Sequence, residues 1–161
     1  MHSISTYTDT STTMPRLTND NVKHDVNGLF RTADENCPTV LIVDDNDIVS
    51  DYLQSALQAY GYHAIVAATP QEAMDQCRRH PRAIQTSIVD VKLGCFNGFE
   101  TAQKLIGICP EMKVVLMSGY PYDHLVRAGR LPQDMGVTLF LQKPFLPSEI
   151  MAAMNALKRP S

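Results

Sequence analysis

The chain has 161 residues, 44% of them hydrophobic and 19% charged, with a formal net charge of -3. This is globular composition, long enough for one domain with a real core, and its scattered Lys and Arg argue against a nucleic-acid face. The longest apolar runs, such as Val40 to Val43 and Val114 to Met117, are too short to span a bilayer, and the N-terminus lacks the basic start and apolar stretch of a secretory signal.

Nine of the first 18 residues are Ser or Thr, and residues 1–36 show no apolar periodicity. Such a stretch buries too little apolar surface to offset the entropy lost on ordering. It predicts a disordered N-terminal tail over 1–36 and one domain over 37–161. Within the tail, Val22 to Phe30 has the pattern of a short helix or docking segment.

From Val40 onward, short apolar runs alternate with amphipathic segments. Val40 to Val43 reads as a buried strand that ends in acids. Ile48, Val49, Tyr52, Leu53, Ala56, Leu57 and Tyr60 fall at helical spacing, and Gly61 closes that helix. Ala64 to Ala67 is a second strand. Thr69-Pro70-Gln71-Glu72 is a capping box with Pro at the first helical position, so a helix starts there and runs toward Arg79. Ser87 to Asp90 is a third strand. Asn97-Gly98 precedes a helix through about Gly107, which Cys109-Pro110 stops. Lys113 to Met117 is a fourth strand. Tyr120 to Gly136 is polar and irregular, with a short helix around Asp123 to Ala128. Val137 to Leu141 is a fifth strand, and Pro147 to Lys158 is the final helix. Strands alternating with helices predict an α/β fold, a doubly wound five-stranded parallel sheet covered on both faces. The cysteines Cys37, Cys77, Cys95 and Cys109 lack C-x-x-C spacing and read as reduced thiols of a cytosolic protein.

The residues that end the strands carry the chemistry. The first strand ends in Asp44-Asp45, the third in Asp90, the fourth in Ser118 and the fifth in Lys143. In a parallel sheet these groups converge on one edge. Three crowded carboxylates resist ionisation, and a divalent cation removes the conflict. Oxygen-only ligands favour Mg²⁺. An ammonium and a hydroxyl beside them suit phosphoryl transfer, in which the catalyst positions groups and neutralises charge. One carboxylate would be the nucleophile; physics alone leaves open which of the three.

From about Thr39 to Leu157 the chain resembles the receiver domains of two-component response regulators (CheY-like). The resemblance rests on Val40-Leu41-Ile42-Val43-Asp44-Asp45, Ile88-Val89-Asp90, Gly98 eight residues after Asp90, Leu116-Met117-Ser118-Gly119-Tyr120, and Leu141-Gln142-Lys143-Pro144-Phe145. The last two pieces look most like receivers attached to hybrid histidine kinases. The resemblance implies a flavodoxin-like strand order 2-1-3-4-5. It also implies phosphorylation on Asp90, Mg²⁺ held by Asp45, Asp44, Asp90 and the backbone carbonyl of Lys92, and phosphoryl oxygens gripped by Ser118 and Lys143. Phe140 matches the aromatic that reorients on activation, although an inward strand aromatic serves equally as core. Gly98 and Pro144 are structural, with Lys143-Pro144 cis. Four departures stand out: Lys92 two residues past the acceptor, Gly94-Cys95 in place of a proline-containing turn, a slightly long stretch from Ser118 to Lys143 that implies a short or displaced fourth helix, and Leu146 where Thr often caps the last helix.

The implied function is a stand-alone receiver, not an enzyme, or a fragment of a larger protein. It would be cytoplasmic, with no membrane or nucleic-acid partner. It would take phosphate from a histidine kinase or a histidine phosphotransfer protein and signal by phosphotransfer or docking. Two alternatives remain. One is a phosphorylation-independent interaction module on the receiver fold. The other is a haloacid-dehalogenase-like phosphatase with Asp45 as nucleophile and Asp47 as acid/base, which leaves Asp90 unexplained.

Overall fold

The computed structural model describes residues 37–129 and 137–158; the expected tail over 1–36 lies outside the described residues. The elements are β1 (Thr39–Val43), α1 (Asp47–Ala59), β2 (His63–Ala67), α2 (Pro70–Arg79), β3 (Ile84–Asp90), β4 (Lys92–Leu93), β5 (Phe96–Asn97), α3 (Gly98–Ile108), β6 (Lys113–Ser118), α4 (Tyr122–Arg127), β7 (Val137–Gln142) and α5 (Pro147–Lys158). Five strands form a parallel sheet in the order β2-β1-β3-β6-β7, and β4 and β5 form a separate antiparallel pair. Without that small hairpin, this is the expected 2-1-3-4-5 order. The hairpin itself was not anticipated.

The near-continuous apolar strands follow from burial on both faces. Every residue of β1 is buried. Val40 and Ile42 pack with Leu53, Leu57, Ile88, Met117 and Ile150, the layer under α1 and α5. Leu41 and Val43 pack with Ala73, Val89, Leu105 and Leu116, the layer under α2 and α3. Each fully buried Leu or Ile stabilises the fold by about 2 kcal/mol before entropy is counted. Ile48, Tyr52 and Tyr60, expected on the apolar stripe of α1, are exposed. The seven apolar positions make a stripe wider than one sheet face covers, and Ser50, Leu53, Ala56 and Leu57 form the buried part.

Local chemistry sets the helix starts. The Asn46 side chain accepts from the amides of Ile48 and Val49 at 3.0 and 3.4 Å. Thr69 Oγ1 accepts from Glu72 N at 3.2 Å, and Glu72 reaches back to Ala68 N at 2.9 Å, which completes the expected capping box one residue early. Asn97 caps α3 through Phe99 N at 2.9 Å. Leu146 has no capping side chain, and Glu149 Oε2 accepts the Leu146 amide instead, at 2.7 Å. No helix of the described residues is long and apolar enough to cross a membrane.

Candidate phosphoryl-acceptor site

Register builds the site. Val43 lies beside Val89 in the β1–β3 pair, so the next residues, Asp44 and Asp90, emerge together at the carboxyl edge. Asp90 pairs with Met117 across β3 and β6, and Ser118 pairs with Gln142 across β6 and β7. The Lys143 amide donates to the Ser118 carbonyl at 2.8 Å and holds the Lys143-Pro144 segment against that edge. The Lys143-Pro144 bond is cis, as expected.

Asp44, Asp45 and Asp90 each offer a carboxylate oxygen, and these oxygens lie within 4.8 Å of one another. Asp44 is 1% exposed and Asp90 8%, whereas Asp45 faces solvent. Lys143 Nζ bridges the two buried acids, at 2.8 Å from Asp44 Oδ2 and 3.2 Å from Asp90 Oδ2. Asp44 Oδ1 accepts from the Asn46 amide at 2.9 Å, and Asp90 Oδ1 from the Lys92 amide at 3.3 Å. Three convergent carboxylates, two buried and one open to solvent, are a donor set that fits a hard divalent cation such as Mg²⁺.

Burial pushes the Asp90 carboxyl above its ordinary value. The Lys143 ammonium pulls it down, the Asp44 charge pushes it up, and hydrogen bonds from Lys92 N and Lys143 pull it down; burial wins. A carboxyl with a raised folded pKa holds its proton more tightly in the fold. Stability is then lost as pH rises above the unfolded value of about 3.9. In the presence of EDTA, Asp90→Asn is therefore expected to melt above the wild type at neutral pH. The gap should close as pH falls below about 4. Thermal denaturation across that pH range checks this, and a wild type that melts higher at pH 7 would refute it.

The β4–β5 hairpin hangs over the acids. Its two-residue turn has Gly94 in the first central position with φ +56, the place where a II′-type turn takes glycine. A Cβ on Gly94 would lie 3.4 Å from Asp45 Oδ2. The turn thus packs directly against the exposed acid. The dipeptide Gly94-Cys95 between Leu93 and Phe96 was a readable hairpin signal. Gly98 has a different reason for being glycine: a Cβ there would collide with the Asp90 carbonyl oxygen, and its amide donates to Val91 O at 3.0 Å.

The other expected residues are placed as follows. Ser118 is 2% exposed, and its Oγ accepts from the Tyr120 amide at 3.0 Å. Phe140 is half-buried against the α2–α3 layer and meets Tyr122 edge-on, with ring centroids 5.5 Å apart. Lys92 is exposed at the start of β4. It lines a groove of about 600 Å³ with Phe96, Glu100 and Tyr120. Asp47, the acid/base of the phosphatase alternative, is an exposed residue in the first turn of α1. Two features escaped the sequence reading. One is the hairpin over Asp45; the other is the direct ion pair from Lys143 to Asp44.

The family model described as the response regulator receiver domain matches residues 40–155. The chain is 27% identical over 121 residues to "Response regulator GtcR" of Aneurinibacillus migulanus, covering 75% of this chain and 48% of that protein. It is 28% identical over 123 residues to "Transcriptional regulatory protein CreB" of Escherichia coli, covering 75% of this chain and 51% of that protein. The chain thus spans about half the length of the curated relatives it matches. A response regulator structure from Thermotoga maritima superimposes with a TM-score of 0.65 at 26% identity, covering 75% of this chain and 97% of that one.

Proposed function

The chain belongs to the response regulator receiver domains of two-component signalling, and on that premise we propose that Asp90 is its phosphoryl acceptor and that it signals rather than turning over a substrate. The observation that carries this reading is the Lys143 ammonium held between Asp44 and Asp90, beside Asp45, at the carboxyl edge of the sheet. Receiver domains accept phosphate from histidine kinases. Here the donor would be a phosphohistidine of a kinase or of a histidine phosphotransfer protein, with the reaction in the cytoplasm.

In the proposed step an Asp90 carboxylate oxygen attacks phosphorus. An O–P bond forms, the P–N bond breaks, and the imidazole leaves. Asp44, Asp45, Asp90 and the Lys92 backbone carbonyl would hold Mg²⁺, which supplies positive charge against the phosphoryl oxygens. Lys143 already sits 3.2 Å from Asp90 Oδ2, so a small movement transfers its ammonium from the carboxylate to a phosphoryl oxygen. The Ser118 hydroxyl now accepts from the Tyr120 amide and keeps its own proton to donate to a second oxygen. That donation draws Ser118 toward Asp90 and biases the fold toward an active state, with Phe140 and its Tyr122 contact as the element that shifts.

The test is acetyl phosphate, or beryllofluoride, with Mg²⁺ and the full chain. The expected result is a mass gain of one phosphoryl group at Asp90 and a spectroscopic change with either reagent, both absent in Asp90→Asn. No response at saturating reagent would sink the proposal and favour phosphorylation-independent docking. Hydrolysis of small phosphate esters that survives Asp90→Asn but is lost in Asp45→Asn would favour the phosphatase alternative.

A further inference from the structure

Two thiols that the acid site does not use meet in the core. Cys77 lies in the last turn of α2, and Cys109 is the C-cap of α3. They are 0% and 3% exposed and share the α2–α3 layer with Ile84, Leu105 and Met112. Cys109 Sγ donates to the Cys77 carbonyl oxygen at 3.7 Å. The two thiols also interact electrostatically. The remaining thiols have other surroundings: Cys37 donates to Gly61 O at 2.9 Å, and Cys95 is exposed.

Cys109 Sγ reaches the backbone of Cys77, 32 positions away in the chain, so the pair meets the first requirement of a disulfide, proximity without a large backbone movement. We propose that Cys77 and Cys109 are an oxidisable pair that closes to an intramolecular disulfide with hydrogen peroxide as oxidant, clamping the C-terminal ends of α2 and α3 together. Burial, reinforced by the Cys109 thiol beside it, pushes Cys77 up to about 12, so little thiolate forms there while the core stays closed. One of the two thiolates attacks the peroxide. An S–O bond forms, the O–O bond breaks, and the departing oxygen leaves as water after taking a proton. The other thiol then attacks the sulfenic sulfur; the S–S bond forms, the S–O bond breaks, and a second water leaves. Two thiols lose two electrons, and one peroxide becomes two waters.

The low exposure of both sulfurs makes the reaction depend on local opening of the helix ends, so it is slower than oxidation of Cys95. The closed disulfide also restricts the unfolded chain, so the oxidised protein should melt higher. The clamp joins α2 to the helix whose first residue, Gly98, abuts Asp90.

The test uses the full chain carrying Cys37→Ser and Cys95→Ser, with the wild type mapped in parallel. The protein is held in hydrogen peroxide under native conditions, then denatured in alkylating reagent and digested without reductant. The expected result is a linked Cys77–Cys109 peptide, loss of both alkylation sites, and a rise in melting temperature that dithiothreitol reverses. In the same background, Cys77→Ala should give oxygen-oxidised Cys109 and no rise. Hydrogen exchange at the ends of α2 and α3 times the opening. If both thiols remain fully alkylatable after an exposure many times longer than that opening, or if each is oxidised singly with no link, the proposal is overturned.

Discussion

Gly98→Ala is expected to lower the unfolding free energy by about 3 kcal/mol, at the upper end of the usual overpacking cost. In a domain of this size that is a fall of roughly 10 °C in melting temperature. The added methyl would collide with the Asp90 carbonyl oxygen and approach the Asp90 carbonyl carbon and Val91 Cα at 2.8 Å each. All three are backbone atoms, so no side chain can turn aside to make room. Either α3 lifts from the end of β3, or Asp90 and Val91 move. Both responses disturb the same place, because the Gly98 amide bonds to Val91 O and the Lys92 amide bonds to Asp90 Oδ1. The variant should therefore also bind Mg²⁺ more weakly than the wild type. Gly107→Ala in the same helix is the control. Nothing lies within 4 Å of a Cβ there, and the exchange should stabilise by about 0.5–1 kcal/mol. Denaturant titration of the two variants checks the contrast. A Gly98→Ala protein within about 1 kcal/mol of the wild type would show that the contact relaxes at little cost.

Strand and helix order were legible because period and punctuation agreed. Val40 to Val43 and Val114 to Met117 have no polar interruption, as two-sided burial demands. Thr69-Pro70-Gln71-Glu72 and Asn97-Gly98 announced helix starts that the structure places at Pro70 and Gly98. The acids were legible for a simpler reason. Once the strands are parallel, whatever follows each one lands on a common edge. The structure brings Asp44, Asp45 and Asp90 within reach of one another. The details that escaped depend on tertiary neighbours. The solvent exposure of Ile48 at 81% reflects how much of α1 the sheet covers, which helical spacing does not encode. The Lys143–Asp44 pair joins residues 99 positions apart. The strand-end pattern predicted that they share an edge, but which acid the ammonium touches is set by side-chain reach. The β4–β5 hairpin was missed because two-residue strands carry no periodicity; only the Gly94 turn marks them.

The same ion pair makes Lys143→Met the most informative substitution in the metal-free protein. Asp44 has 0% of its side chain exposed and Asp90 has 11%, while the Lys143 side chain is 21% exposed. Methionine keeps an apolar stem against Val49, Tyr52 and Phe145, which line the adjoining cleft with Lys143, and deletes only the charge. Stripping one partner from a buried pair leaves an uncompensated charge, a loss of about 3–5 kcal/mol. Lys143 keeps some contact with water, so the expected loss in EDTA is about 3 kcal/mol. A divalent ion among the three carboxylates would replace the missing positive charge. Saturating Mg²⁺ should then restore more stability to Lys143→Met than it adds to the wild type. The two repairs are not equivalent for signalling. With the ammonium gone, one phosphoryl oxygen loses its partner, so beryllofluoride should still bind with Mg²⁺ but induce far less conformational change. Melting curves in EDTA and in Mg²⁺, followed by beryllofluoride difference spectra, separate the two roles. Equal stability in EDTA would mean that solvent, not Lys143, compensates Asp44. A full beryllofluoride response would remove Lys143 from the switch.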